Sequence, residues 1–234
     1  MNKNKKWLVG LALLCNGELA LAQDDTGIAV TAGVRAWWTQ WTTFSYFVDA
    51  NGENQALTQS QATDEMALMP NISVRKGKFS GSLSAFLSTD FSFPEDPNAN
   101  REELDLNAGY AVTPGLTVTL GYKQVEQGGS AGRYRPRGPV IGVSAFAPLG
   151  GLLSFYGSFG LGRFQTPGGD PIDFKADYRL AELGLAYALS SEGRGSWTFT
   201  GGYRIQVFDS KDAFGSQDGR DTTQGFTLGA NYTF

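Results

Sequence analysis

Ten segments of this 234-residue chain alternate apolar side chains with small or polar ones, and Gly, Pro, Asn and Asp clusters separate them. They cover residues 27–46, 65–76, 78–92, 102–112, 115–126, 138–148, 151–164, 174–189, 196–208 and 222–234. A period of two is that of an extended strand, whose successive side chains point to opposite faces. No run approaches the roughly 18 apolar residues that mark a membrane helix, so a helical membrane protein is excluded. What remains is to decide which face of the strands meets which solvent.

One phase through the segments is apolar. It reads Ile28, Val30, Ala32, Val34 and Ala36 in the first, and Leu104, Leu106, Ala108, Tyr110 and Val112 in the fourth. In the seventh it reads Leu153, Phe155, Gly157, Phe159 and Leu161, and in the ninth Trp197, Phe199, Gly201, Tyr203 and Ile205. This face is expected to carry no charge along its length. The opposite phase holds Arg35, Arg75, Asp105, Lys123, Glu182 and Arg204 among Ser, Thr, Asn and Gly. The polar face of a soluble sandwich would be richer in Lys and Glu, and a lipocalin-like barrel would turn its apolar face inward. An uncharged face turned outward suits lipid. The connections alternate as well: 76–78, 113–115, 148–151 and 190–196 are short, and those between them are longer and polar. That is the layout of an outer-membrane barrel. In lipid every backbone N–H and C=O must be paired, so the sheet must close on itself. The expected fold is all-β, a closed antiparallel transmembrane β-barrel of ten strands. The count falls to eight if the second segment, which contains Pro70, does not span.

The ends agree with this reading. Residues 1–22 have the form of a secretory signal peptide: Lys3, Lys5 and Lys6, an apolar run from Trp7 to Cys15, then Ala20-Leu21-Ala22. Residues 23–234 are then the barrel. Cys15 raises a lipoprotein reading, but Leu14 stands where a small residue is expected. Cys15 is the chain's only cysteine and leaves with the signal, so no disulfide or thiol chemistry follows. The last segment carries Phe226, Leu228, Tyr232 and a terminal Phe234 at alternate positions. It resembles the C-terminal assembly signal of bacterial outer-membrane β-barrel proteins. The resemblance implies export to the outer membrane, recognition by the barrel-assembly machinery, and a setting of outer-membrane lipid and lipopolysaccharide. It does not name a ligand or a solute.

Inside the barrel, the candidate site is a charge network of Arg35, Arg75, Glu103, Asp105, Lys123, Glu182 and Arg204. Buried charges must be paired or solvated, so the network is either an ion-pair plug or a charged constriction along a narrow path. In "AWWTQW", Trp38 points to lipid while Trp37 and Trp41 point inward, as packing or as a stacking platform for a ligand. Inward Gly33, Gly121, Gly142, Gly184, Gly202 and Gly229 leave room or serve curvature, or pack under inward Tyr156 and Phe146. Arg133, Arg135 and Arg137 form a candidate anion patch in the third long loop, suited to lipid phosphate. The fifth loop is acidic but lacks the ordered spacing of a calcium loop, so no metal or cofactor is expected.

The chain has no histidine, which removes every mechanism with an imidazole base. Ten-stranded barrels include the omptin proteases, and the resemblance to them stops at strand count; an enzyme is not expected. A formal charge of −4 makes nucleic acid an unsuitable partner. The function that follows is a small, narrow, porin-like channel for small solutes. The alternatives are binding or adhesion through the loops, and a structural protein with a plugged lumen. One test follows directly. Deleting Phe234, or making Phe234→Asp, should abolish membrane insertion, read as heat-modifiable gel migration in membrane fractions; normal levels of folded protein would contradict the assembly role.

Overall fold

A computed structural model describes residues 27–130, 132–167, 174–190, 195–211 and 217–234; the expected signal peptide lies outside these. The described chain is all strand. Ten strands form the ring: β1 (Ile28–Val48), β3 (Glu65–Lys76), β4 (Phe79–Phe91), β5 (Ala99–Thr113), β6 (Leu116–Gly129), β8 (Arg137–Gly150), β9 (Leu153–Gln165), β10 (Lys175–Ser190), β11 (Ser196–Lys211) and β12 (Gln217–Thr233). All neighbours are antiparallel, and β12 closes the ring on β1 from Thr31–Thr233 to Phe47–Gln217. Two shorter strands lie outside the ring. β2 (Asn54–Gln61) folds back on the outer half of β1, and β7 (Gly132–Tyr134) on the end of β6.

The ten-strand count holds, and Pro70 does not break β3. It sits immediately beyond the last registered pair of β3 and β4, Asn71–Ser84, where that ladder has already ended. It still opposes Val34 of β1. Five of the ring strands, β1, β5, β6, β11 and β12, run two to five residues further at their outer ends than alternation indicates, because these polar extensions stand clear of the apolar zone.

Register shows how far the strands are tilted. Trp38 pairs with Phe226, Phe226 with Tyr203, Tyr203 with Leu183, Leu183 with Gly157, Gly157 with Ala145, and Ala145 with Leu116. One row of neighbours thus descends from the middle of β1 to the first residue of β6, the spiral that closure of a tilted sheet imposes. Residues adjacent in a row therefore lie at different depths.

The outward face is apolar over most of its height, with Leu106, Leu120, Ile141, Leu183, Phe226 and Leu228 all more than half exposed. In a water-soluble protein that surface would be untenable; in lipid it is the contact surface. The expectation of a wholly uncharged face needs correction. Glu102, Arg163, Lys175, Asp177 and Arg179 share the outward phase, all exposed. They occupy the outer ends of β5, β9 and β10, beyond Leu104, Leu161 and Ala181. Strand phase carries no information about depth, and these positions have passed out of the apolar belt.

Two outer connections are tied together. Asp96, between β4 and β5, accepts hydrogen bonds from the Ser130 backbone N–H (2.7 Å) and hydroxyl (3.1 Å). The Ser130 N–H holds its carboxyl below the usual range. A Cβ on Gly129 would stand 2.3 Å from that carboxylate, so glycine permits the approach. The topology predicts a labelling pattern. Cysteines placed singly at Asn51 or Glu95 should react with an impermeant maleimide on intact cells. Cysteines at Pro114 or Leu149, in the short turns, should not; the reverse pattern would invert the barrel.

Candidate functional site: a charged lattice across the lumen

Inward positions of β1, β5, β6, β10 and β11 carry the charges, and the tilt of the strands decides which of them meet. Glu182 and Arg204 are direct cross-strand partners on β10 and β11. The Arg204 Nη1 donates to Glu182 Oε2 at 3.1 Å. Arg35 reaches the same carboxylate from across the barrel, its Nη1 lying 2.8 Å from both oxygens. It crosses over Gly229, where an added Cβ would sit 3.5 Å from its Cγ. The Tyr156 hydroxyl donates to Glu182 Oε1 at 2.9 Å. Its ring lies over Gly184 and Gly202, where a Cβ would come within 2.6 Å of it. Of the roles open to these inward glycines, packing under Tyr156 is the one observed.

A second cluster centres on Glu103. Arg101 donates from Nε (2.8 Å) and Nη2 (2.6 Å) to Glu103 Oε1, and from Nη1 to Thr223 at 2.9 Å. Lys123 bridges Glu103 (2.5 Å) and its cross-strand partner Asp105 (2.8 Å). Gln206 joins the two clusters. With its amide oxygen toward Arg204 (2.9 and 3.2 Å) and its nitrogen toward Glu103 (3.1 Å), both neighbours are satisfied. The result is one chain of contacts, Arg35–Glu182–Arg204–Gln206–Glu103–Lys123–Asp105, with Arg101 attached. Arg101, Lys123 and Arg204 are at most 1% exposed, and Gln206 not at all.

Aromatic rings close the remaining faces of the cations. The Arg204 guanidinium lies 5.3 Å from the Trp37 ring, Arg101 5.5 Å from Trp41 and 5.4 Å from Phe208, and Lys123 5.7 Å from Tyr178. Trp37 also meets Phe86 edge-on, and Trp41 meets Phe91 and Phe93. The two inward tryptophans are thus packing elements whose faces are occupied by arginine, and no open stacking platform exists at them.

Six of the seven residues proposed from the sequence join this lattice. Arg75 does not. It opposes Ala29, whereas the β3 residue opposite Arg35 is Met69. Six residues at about 3.3 Å each put Arg75 roughly 20 Å nearer the inner turn, where its Nε donates to the Gly77 carbonyl at 3.1 Å. Phase placed it inside correctly, but depth separates it from the others. Arg101, Gln206 and Tyr156 are the additions. Arg101 lies one residue before the fourth alternating segment, yet it shares the phase of Glu103 and Asp105 at spacings of two.

The loop arginines divide. Arg133 and Arg135 both grip Glu126, at 2.7 and 2.8 Å, on the outer surface of β6. Arg137 is exposed on β8 opposite Gln124 and Gln165. The four terminal-strand residues lie on the outward face of β12. Phe226 meets Tyr203 edge-on, Leu228 is exposed, Tyr232 packs on Trp197 and Phe234, and the Phe234 N–H bonds the Val30 carbonyl at 2.9 Å. At the outer mouth, above Val125 and Phe208, is a cavity of about 150 Å³ walled by Phe44, Tyr134 and Phe174 with Asp221 and Gln127 on its polar side. Gln127 donates to Asp221 at 3.3 Å.

No protein-family model and no curated protein matches this sequence. Solved structures do. The outer membrane protease OmpT from Escherichia coli superposes with a TM-score of 0.54 at 12% identity, over 88% of this chain and 97% of that one. The outer membrane protein OprG from Pseudomonas aeruginosa matches at a TM-score of 0.37 and 13% identity, over 89% and 96%. A FadL homologue from the same organism gives 0.35 and 10%, over 88% and 90%. The likeness to OmpT is one of fold. It shows that this chain shares the closed antiparallel β-barrel fold of that outer-membrane protein.

Glu182 is the anchor for two arginines and a tyrosine. Glu182→Ala leaves both cations without their carboxylate and should cost about 3–5 kcal/mol. Glu182→Gln should cost less because the Tyr156 and arginine sites keep an acceptor oxygen. Urea unfolding in lipid vesicles measures both; equal stability of wild type and Glu182→Ala would contradict the lattice.

Proposed function

We propose that this protein is an outer-membrane barrel whose lumen is sealed at rest, and that its working surface is the outer mouth. The observation that carries the reading is the continuous lattice from Arg35 to Asp105, whose members are buried to a few per cent although they line the inside of a barrel. Eight strands already enclose little more than their own side chains. Ten strands filled with Arg, Lys, Glu, Tyr and Trp leave the interior packed. The mouth cavity, aromatic on one side and carboxylate-bearing on the other, suits a small amphipathic ligand; a cavity of this size holds a molecule on the order of benzene. No catalytic role is proposed: the absence of histidine removes imidazole chemistry, and the buried carboxylates are committed to cations.

A narrow channel for small solutes is the second reading, and one feature favours it. The lattice holds Arg35, Arg101, Lys123 and Arg204 against Glu103, Asp105 and Glu182, one cation in excess, as an anion path would. Planar-bilayer recording separates the two. The sealed barrel predicts a nearly silent wild type, with Arg204→Ala both less stable and leaky. Steady anion-favouring channels in wild type, weakened or reversed by Arg204→Glu, would overturn the sealed reading in favour of conduction.

A further inference from the structure

On the outward surface of β9–β11, at the outer ends of the strands, is a groove of about 310 Å³ lined by Arg163, Lys175, Lys211, Asp177 and Asp209. Its charges are sorted by register. Asp177 and Asp209 oppose each other between Arg163 and Arg220. Asp209 is committed: Arg179 lies 2.7 Å from it and Arg220 2.5 Å. Arg163 is loosely associated with Asp177 at 3.9 Å, with its side chain 79% exposed. One row further out, Lys175 and Lys211 are direct cross-strand partners. Lys175 also opposes Gln165, which opposes Arg137. Like charges placed directly opposite destabilise a strand pair unless something between them is negative. Among the described residues, neither lysine has a carboxylate within ion-pair distance.

The position of the groove identifies its occupant. It borders the apolar belt: the next outward residue below Arg163 on β9 is exposed Leu161; below Asp209 on β11 come Val207, Ile205 and exposed Tyr203; below Asp177 on β10 come Arg179, which is held by Asp209, then Ala181 and exposed Leu183. A molecule seated here has hydrocarbon beneath it and cations above. That is the profile of a phosphorylated lipid with its chains on the barrel wall and its headgroup in the groove. We infer that this groove binds a phosphate of an outer-leaflet glycolipid, with Arg163, Lys175 and Lys211 as the donors. These donors are distinct from Arg133 and Arg135, which share the single carboxylate of Glu126. The inference is independent of whether the lumen conducts.

The test uses the barrel folded in neutral detergent. Lipid A bearing its phosphates, dephosphorylated lipid A and inorganic phosphate are each titrated, and the thermal unfolding midpoint and direct binding are read. The expected result is stabilisation by phosphorylated lipid A alone, weakened by added salt. Lys175→Gln/Lys211→Gln should lose about tenfold or more in affinity, the equivalent of one charge-assisted hydrogen bond. Arg163→Gln is the second variant and should weaken binding in the same direction. Arg133→Gln/Arg135→Gln should bind as wild type. Equal stabilisation by the dephosphorylated lipid would overturn the proposal, as would equal affinity of wild type and the lysine variant. Inorganic phosphate acting as well as the lipid would overturn the assignment to a headgroup.

Discussion

A charge inside a narrow barrel has no bulk water to fall back on, and the interior of this protein is organised around that constraint. The two central carboxylates in the lumen are shared: Glu182 between two arginines and a tyrosine, Glu103 between Arg101, Lys123 and Gln206. Sharing matters because removing one partner of a buried pair costs far more than the pair gains over an apolar equivalent. The surrounding choices follow from it. Glycines at 184 and 202 clear the space that Tyr156 needs to reach Glu182. Tryptophans and tyrosines cover the guanidinium and ammonium faces that carboxylates do not reach.

The outside answers a different solvent by the same alternation. Every second residue is turned to lipid, and the belt stays apolar until the strands leave it. Beyond that edge the barrel is asymmetric. At β6 and β7, Arg133 and Arg135 share one carboxylate, Glu126, while β8–β11 present Arg137, Arg163, Lys175 and Lys211. The exposed β5 face carries Glu102 instead. The lipid phosphate we infer sits in the basic sector at β8–β11.

How legible this was in the sequence depended on which quantity each feature needs. The ten ring strands needed only a period of two, and Ile28, Leu104, Leu153 and Trp197 begin runs that keep it. β2 and β7 fall outside the ten segments, because "NQALTQSQ" and "GRY" lack the apolar alternation that marks a ring strand. The lattice needed phase and depth together. Phase put Arg35, Glu182 and Arg204 on the inner face, but it equally admitted Arg75, which only register places near the inner turn. Depth also decides the outward charges: Arg163 and Leu161 share a phase and differ by one step across the edge of the belt. Gln206 and Tyr156 were passed over as lattice members because neutral residues give no charge signal, yet Gln206 is where the two clusters join.

The central claim is that these charges form a single connected lattice across the lumen, with Gln206 as the link. A double-mutant cycle between Glu103→Gln and Glu182→Gln, measured by reversible unfolding in vesicles, tests it most directly. The two carboxylates share no direct bond, so the account predicts a coupling above about 0.5 kcal/mol that disappears in the Gln206→Leu background. Additive effects of the two substitutions in the native background would contradict it, leaving two separate ion-pair clusters in one barrel.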